Sequence, residues 1–176
     1  TSSFASPALR LDPRCRGAIR LDLRTEGGVP LRDLPVDSLT FFVYATADLA
    51  GKIYEQVLAN GVGAVVRAKG TSRPVSLPAT AVRAVGFEDH DAMLPLSPRG
   101  FEGYRLLQEY FAFPDRFLFF AVDGLRKALA DTAGDEAELF LLVDRAAPDL
   151  ENALDESQFR LNCTPVVNLF PRSLDR

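Results

Sequence analysis

The residues best equipped for chemistry are few. His90 is the single histidine, set in Glu88-Asp89-His90-Asp91, and Cys15 and Cys163 are the only thiols. Imidazole beside carboxylates is the material of a metal centre or an acid–base pair; thiolate beside imidazole is that of a nucleophile and its base. A metal site needs three or four convergent ligands, whereas four contiguous loop residues aim their side chains in different directions. The run is therefore read as a solvated acidic loop. No local signature joins Cys163 to His90 as nucleophile and base. The two cysteines have no metal-ligand spacing and make no disulfide framework, so a reducing compartment is the default. Cys163, in Asn162-Cys163-Thr164-Pro165, is expected to be a small packed residue, since free cysteine behaves as a buried hydrophobe. A small Cys- or metal-dependent hydrolase or transferase using Cys163 or the His90 region is the rival reading.

Phosphate chemistry fares no better. Gly27-Gly28 and the stretch NGVGAVV at 60–66 match neither a Walker loop nor a dinucleotide fingerprint. In the second, the glycines follow a helical pattern and precede a strand, the reverse of a phosphate cradle at a helix N-terminus. They are read as turn residues, and no cofactor is expected. The net charge of −4 and pI near 5.1 create no field toward nucleic acid or anionic lipid. Arg14, Arg16, Arg20 and Arg24 recur on one face of an alternating segment and are read as a solvated strand face.

What remains is aromatic density. Residues 103–120, GYRLLQEYFAFPDRFLFF, carry seven of the seventeen aromatic side chains. Nucleic-acid stacking platforms set such rings among basic residues, but Arg105 and Arg116 are balanced here by Glu109 and Asp115. Phe101, Tyr104, Leu107 and Phe111 recur at helical spacing and predict the buried stripe of a helix. Pro114 forces Phe113 out of helical geometry. The apolar run Phe117 to Val122 predicts a strand covered on both faces. Together these read as a core module, with Tyr110, Phe111 and Phe113 at the turn as candidate anchors in a protein–protein interface.

The elements around this module follow from period and punctuation. Strands are predicted over 14–24, 39–45, 62–68, 82–87, 117–122 and 138–144. A helix over 47–60 carries the stripe Leu49, Ile53 and Val57, with Thr46 as N-cap and Asn60-Gly61 as its stop. Ser97-Pro98 signals the start of a second helix, and 125–130 reads as a short third. The expected fold is α+β, with mixed, mostly antiparallel sheets and flanking helices. Residues 1–13 read as a loose leader and 14–176 as one domain, any division into sub-lobes falling near 88–98. No apolar run is long enough to cross a bilayer.

Two long stretches, Ala92 to Leu125 and FRLNCTPVVNLFPRSLDR at 159–176, closely resemble the TssF family, baseplate subunits of bacterial type VI secretion systems. The stretch LTFFVYATADLAGKIYEQVL at 39–58 is similar to that family's strand–helix unit. The resemblance implies sandwich-like β lobes and a non-enzymatic structural role. It implies partners as well: a TssG-like subunit with two TssF copies per TssG, TssK and TssE in the baseplate wedge, and the spike hub. Assembly is then expected at the cytoplasmic face of the inner membrane. Family chains are several times longer, so these 176 residues, starting at Thr1 rather than Met, are expected to be a central portion.

Overall fold

A computed structural model of the chain describes residues 12–69, 73–94, 101 and 103–168. Eight strands and four helices are assigned among them: β1 Gly17–Arg24, β2 Ser38–Val43, α1 Ala47–Leu58, β3 Gly61–Ala68, β4 Val75–Leu77, β5 Val82–Val85, α2 Gly103–Ala112, β6 Phe119–Asp123, α3 Leu125–Leu129, β7 Glu136–Val143, α4 Pro148–Glu151 and β8 Phe159–Arg160. The strands form two four-stranded sheets, ordered β1-β7-β3-β4 and β5-β6-β2-β8, and every pairing is antiparallel. This is the α+β architecture that the hydrophobic pattern predicts. The segment 1–13, expected to be a loose leader, lies outside the described residues except for Asp12 and Pro13, as does the Ser97-Pro98 start signal.

The alternation in β1 fixes which side chains meet the core. Ile19, Leu21 and Leu23 stand opposite Leu141, Leu139 and Ala137 of β7 and face inward. The intervening Arg20, Asp22 and Arg24 lie on the outer face. Asp22 stands directly opposite Glu138, a like-charge pair that would disfavour the register on its own. Arg67 of β3 relieves it, with its Nε 2.5 Å from a Glu138 oxygen, and Arg20 adds a longer contact at 3.8 Å. The Arg67 guanidinium holds the Glu138 carboxyl below the usual carboxylate range, against the opposing effect of burial. Lys69 pairs with Glu136 at 2.6 Å one step along the same face.

The second sheet is built on rings. Phe41 of β2 and Phe120 of β6 are register partners, stacked on the inner face with centroids 5.2 Å apart. Phe42 and Phe119 stack on the other face at 4.7 Å. Phe119, Phe120, Ala121 and Val122 are all buried, as a strand apolar on both faces requires. The strand starts two residues later than the apolar run because Pro114–Phe117 winds into a 3-10 turn.

Between the sheets, α1 contributes Ala50, Ile53 and Val57 to the main core and touches strands of both layers. Its predicted stripe is correct, but it also buries Gln56, whose amide donates to the Arg145 carbonyl and accepts from Asn60. One reading is corrected here. Gly61 and Gly63 are not turn residues; they belong to β3 and flank a bulge in its register with β7. Gly63 has φ +142°, and a Cβ there would lie 2.7 Å from the Leu77 carbonyl oxygen, so only glycine lets β4 approach. Among the described residues no helix is long and apolar enough to cross a membrane.

Candidate functional site

Helix α2 is amphipathic in the opposite sense from the one its sequence suggests. The stripe predicted to be buried is exposed: Phe101, Tyr104 and Phe111 retain 75%, 63% and 82% of their accessible surface, and Leu107 is exposed beside them. The charged residues are inside instead. Arg105, Glu109 and Arg116 keep only 6%, 2% and 1%. The expectation that this stripe belongs to the core is therefore corrected for the helix, though it holds for β6.

The reason is electrostatic. Glu109 sits at the centre of a buried cluster. One of its oxygens accepts the backbone N–H groups of Met93 and Leu94 at 2.9 and 3.0 Å. The other pairs with Arg105 at 3.4 Å and with Arg116. Arg116, in the turn after the helix, donates from Nη2 to the carbonyls of Gly86 (2.7 Å) and Asp91 (2.8 Å), and its guanidinium lies over the Phe117 ring. Arg105 reaches Asp89 at 3.0 Å. Burial, with the neighbouring Arg105, pushes the pKa of Arg116 below its ordinary value, while Asp91 opposes that shift. A carboxylate sharing two guanidiniums and two amides is well compensated, and that compensation lets charge replace apolar packing on the inner face. On an α-helix, positions 105 and 109 point away from 107 and 111, so fixing the first pair inward turns the second pair out.

The three candidate anchors flank this stripe. Tyr110 and Phe111 are exposed and meet edge to face at 5.7 Å. Tyr110 also leans on Phe117, with centroids 6.1 Å apart. Phe113 is partly shielded, with φ −153° and ψ 77°, which ends the helix as Pro114 requires. The structure thus gathers Tyr104, Leu107, Tyr110, Phe111 and Phe113 on one helix and its exit. Tyr104, Leu107 and Phe111 belong to the stripe that periodicity predicts to be buried, Phe111 being a candidate anchor as well. The signal that could have told otherwise was Arg105 and Glu109 at i, i+4 with Arg116 just beyond, charges of opposite sign spaced to pair with one another.

The residues of the rival chemistry are not brought together in this way. His90 is largely exposed on the 3-10 turn Asp89–Asp91, with Asp91 its nearest carboxylate at 3.6 Å. Glu88, Asp89 and His90 are exposed, as expected of a solvated acidic loop, while Asp91 is half-buried; Asp89 also holds Arg105, and Asp91 accepts the Gly86 N–H at 2.9 Å. Cys163 is exposed rather than packed, because Thr164 to Asn168 runs outside the sandwich. Cys15 is half-buried, with its thiol 3.4 Å from the Gly17 carbonyl oxygen. Among the described residues no three His, Cys, Asp or Glu side chains group as a metal site would require.

Comparison with known proteins gives a consistent result. The family model described as "Type VI secretion system, TssF" matches residues 1–176. The type VI secretion system component TssF1 of Pseudomonas aeruginosa is 41% identical over 179 residues, an alignment covering 98% of this chain and 29% of that protein. A chain in the cryo-electron microscopy structure of the type VI secretion system TssK-TssF-TssG baseplate subcomplex superposes with a TM-score of 0.72. That match has 21% identity and covers 90% of this chain and 30% of the other, so it speaks to the fold. The chain spans less than a third of the length of either protein.

Proposed function

Because the chain belongs to the TssF family of type VI secretion systems, we propose that it is a non-enzymatic structural portion of a baseplate subunit whose α2 face grips a partner protein. The observation that carries this reading is the inverted helix. Four large apolar side chains of α2 face solvent while its charges are locked inside, and a contiguous exposed patch of rings is the usual mark of a protein-binding surface. Tyr and Phe are enriched at such interfaces because they offer large, stiff contact area. The partners favoured are those named with the structural neighbour, TssG and TssK; two TssF copies per TssG is part of the proposal and follows from the family resemblance alone. Contacts with TssE and the spike hub, and assembly at the cytoplasmic face of the inner membrane, belong to the same proposal. So does the reading of residues 14–176 as one α+β portion of a longer chain. No cofactor or nucleic acid enters this role.

The test uses a full-length TssF-family chain carrying Tyr110→Ala, Phe111→Ala and Phe113→Ala together, co-expressed with its TssG-like and TssK-like subunits. Recovery of the complex should fall at least about tenfold, since each anchor removed from an interface centre costs about 1–2 kcal/mol or more. The free chain should stay folded by circular dichroism. A folded triple variant that assembles as well as the parent would overturn the assignment.

A further inference from the structure

A second surface, distant in sequence from α2, has the features of an unfinished sheet. β1 is a full eight residues long, and among the described residues it pairs only with β7. Its register gives the direction of every backbone group. The Thr25 N–H donates to the Asp135 carbonyl at 2.9 Å, continuing the pairing of Arg24 with Glu136. In an antiparallel ladder the doubly bonded pairs alternate, so Leu23, Leu21 and Ile19 also bond β7. The N–H and C=O groups of Ala18, Arg20, Asp22 and Arg24 then point away from the sheet.

That free edge borders a groove of about 980 Å³. Every residue from Cys15 to Leu23 lines it, which a strand achieves only when presented edge-on. The opposite wall is apolar: Leu150, Leu154, Phe159 and Leu161, from α4 to β8. The core is correspondingly incomplete on this side. Leu139 and Leu141 of β7 are fully buried, whereas their register partners Leu21 and Ile19 are only half-buried although they face the same interior. The other margin of the sandwich differs. There β4 has three residues between Pro74 and Pro78, and a single 3-10 turn leads directly into β5 of the other sheet. Short strands and prolines blunt an edge. β1 has neither device. Its charges pair along the strand and across the sheet instead, Arg20 with Asp22 of β1 itself and toward Glu138, and Arg24 toward Asp135 and Glu136.

We propose that the outer edge of β1 is a strand-acceptor site, filled by an extended segment from another part of the same TssF polypeptide. The added strand pairs with Ala18 to Arg24, makes a five-stranded sheet, and lays alternate apolar side chains into the groove. An intramolecular source is favoured by chain length. This chain spans 29% of its Pseudomonas relative, so most of a family chain lies outside these residues, and a tethered strand competes at high effective concentration. The rim suits a near-neutral strand, with Arg16 and Arg145 set against Glu151, Asp155 and Glu156.

Hydrogen exchange tests this without any substitution. Single-residue rates are measured by NMR for the 176-residue chain, and by mass spectrometry with electron-transfer fragmentation for a full-length family chain carrying it. In the 176-residue chain, Ile19, Leu21 and Leu23 should be protected while Ala18, Arg20, Asp22 and Arg24 exchange freely. In the full-length chain alone those four should slow by about 100-fold or more, as ladder amides do. Three results overturn the proposal: unchanged rates in the full-length chain, protection of all seven amides already in the 176-residue chain, or protection that arises only after TssG-like and TssK-like subunits are added. The last would assign the strand to a partner.

Discussion

The sharpest consequence of the buried charge cluster concerns Glu109. Glu109→Gln preserves shape and keeps an oxygen for the Met93 and Leu94 amides, yet removes the one carboxylate that, among the described residues, is buried with Arg105 and Arg116. Removing one member of a buried ion pair costs about 3–5 kcal/mol, because a charge is left uncompensated. Asp89 still faces Arg105, but from an exposed position where screening limits its worth to about 1 kcal/mol or less. The net cost is therefore about 3 kcal/mol, a large share of the 5–15 kcal/mol typical of a whole domain. Glu109→Ala also removes the oxygen that accepts the Met93 and Leu94 N–H groups, at about 1 kcal/mol or more for each hydrogen bond lost. Both costs fall on the join between α2 and residues 86–94, not on the inter-sheet core. Released from its anchor, α2 should turn its rings inward or detach while the sandwich persists. Urea unfolding gives the total, and exchange at the Met93 and Leu94 amides gives the local opening. A loss below about 1 kcal/mol with protection intact at both amides would refute the claim that charge holds this helix in its inverted orientation.

Other expectations follow from the same geometry. Phe120→Ala, which empties a fully buried stack with Phe41, should cost about 3–5 kcal/mol in denaturant unfolding. Phe111→Ala, on the exposed face of α2, should stay within about 0.5 kcal/mol. Comparable losses for the two would contradict the assigned burial. The Tyr54 hydroxyl is buried with no hydrogen-bond partner among the described residues, and burial pushes its pKa from 10.0 up to about 12. The folded state thus holds the proton more tightly, so this group's contribution is intact below pH about 10 and is lost progressively toward pH about 12, by roughly 2 kcal/mol. Tyr54→Phe should remove that alkaline limb relative to the parent, and identical pH profiles would count against it. His90→Ala and Cys163→Ala should leave baseplate assembly and secretion unchanged; loss of secretion with assembly intact would revive the enzymatic reading.

Much of the fold was legible because its signals are local and periodic. Ile19, Leu21 and Leu23 alternate with charges, Ile53 and Val57 repeat at helical spacing, and Pro114 can stop a helix in only one place. The inverted helix was not legible in the same way. Periodicity says which residues share a face; it does not say which face is inward, and the usual rule that apolar means buried fails when charges satisfy one another. The bulge at Gly63 escaped for a related reason, since its cause is the approach of Leu77 from another strand. Cys163 was misplaced because a residue-type preference stood in for knowledge of the path after β8. The anchors Tyr110, Phe111 and Phe113 were picked from their place at a turn, and the helix exposes more rings than the turn alone suggested.

The position of β7 bears on how the polypeptide reaches this shape. It is the central partner of both β1 and β3, yet it follows them by more than sixty residues at the nearest approach in sequence. During synthesis at roughly 5–20 residues per second, β1 waits on the order of ten seconds before the strand that completes its ladder has emerged. Contacts of such long range make sheet closure slow, and they leave ribbons with unmatched margins on the ribosome in the meantime. Nascent chains of this family therefore stand to gain from a holding chaperone between the appearance of Ala68 and that of Val143.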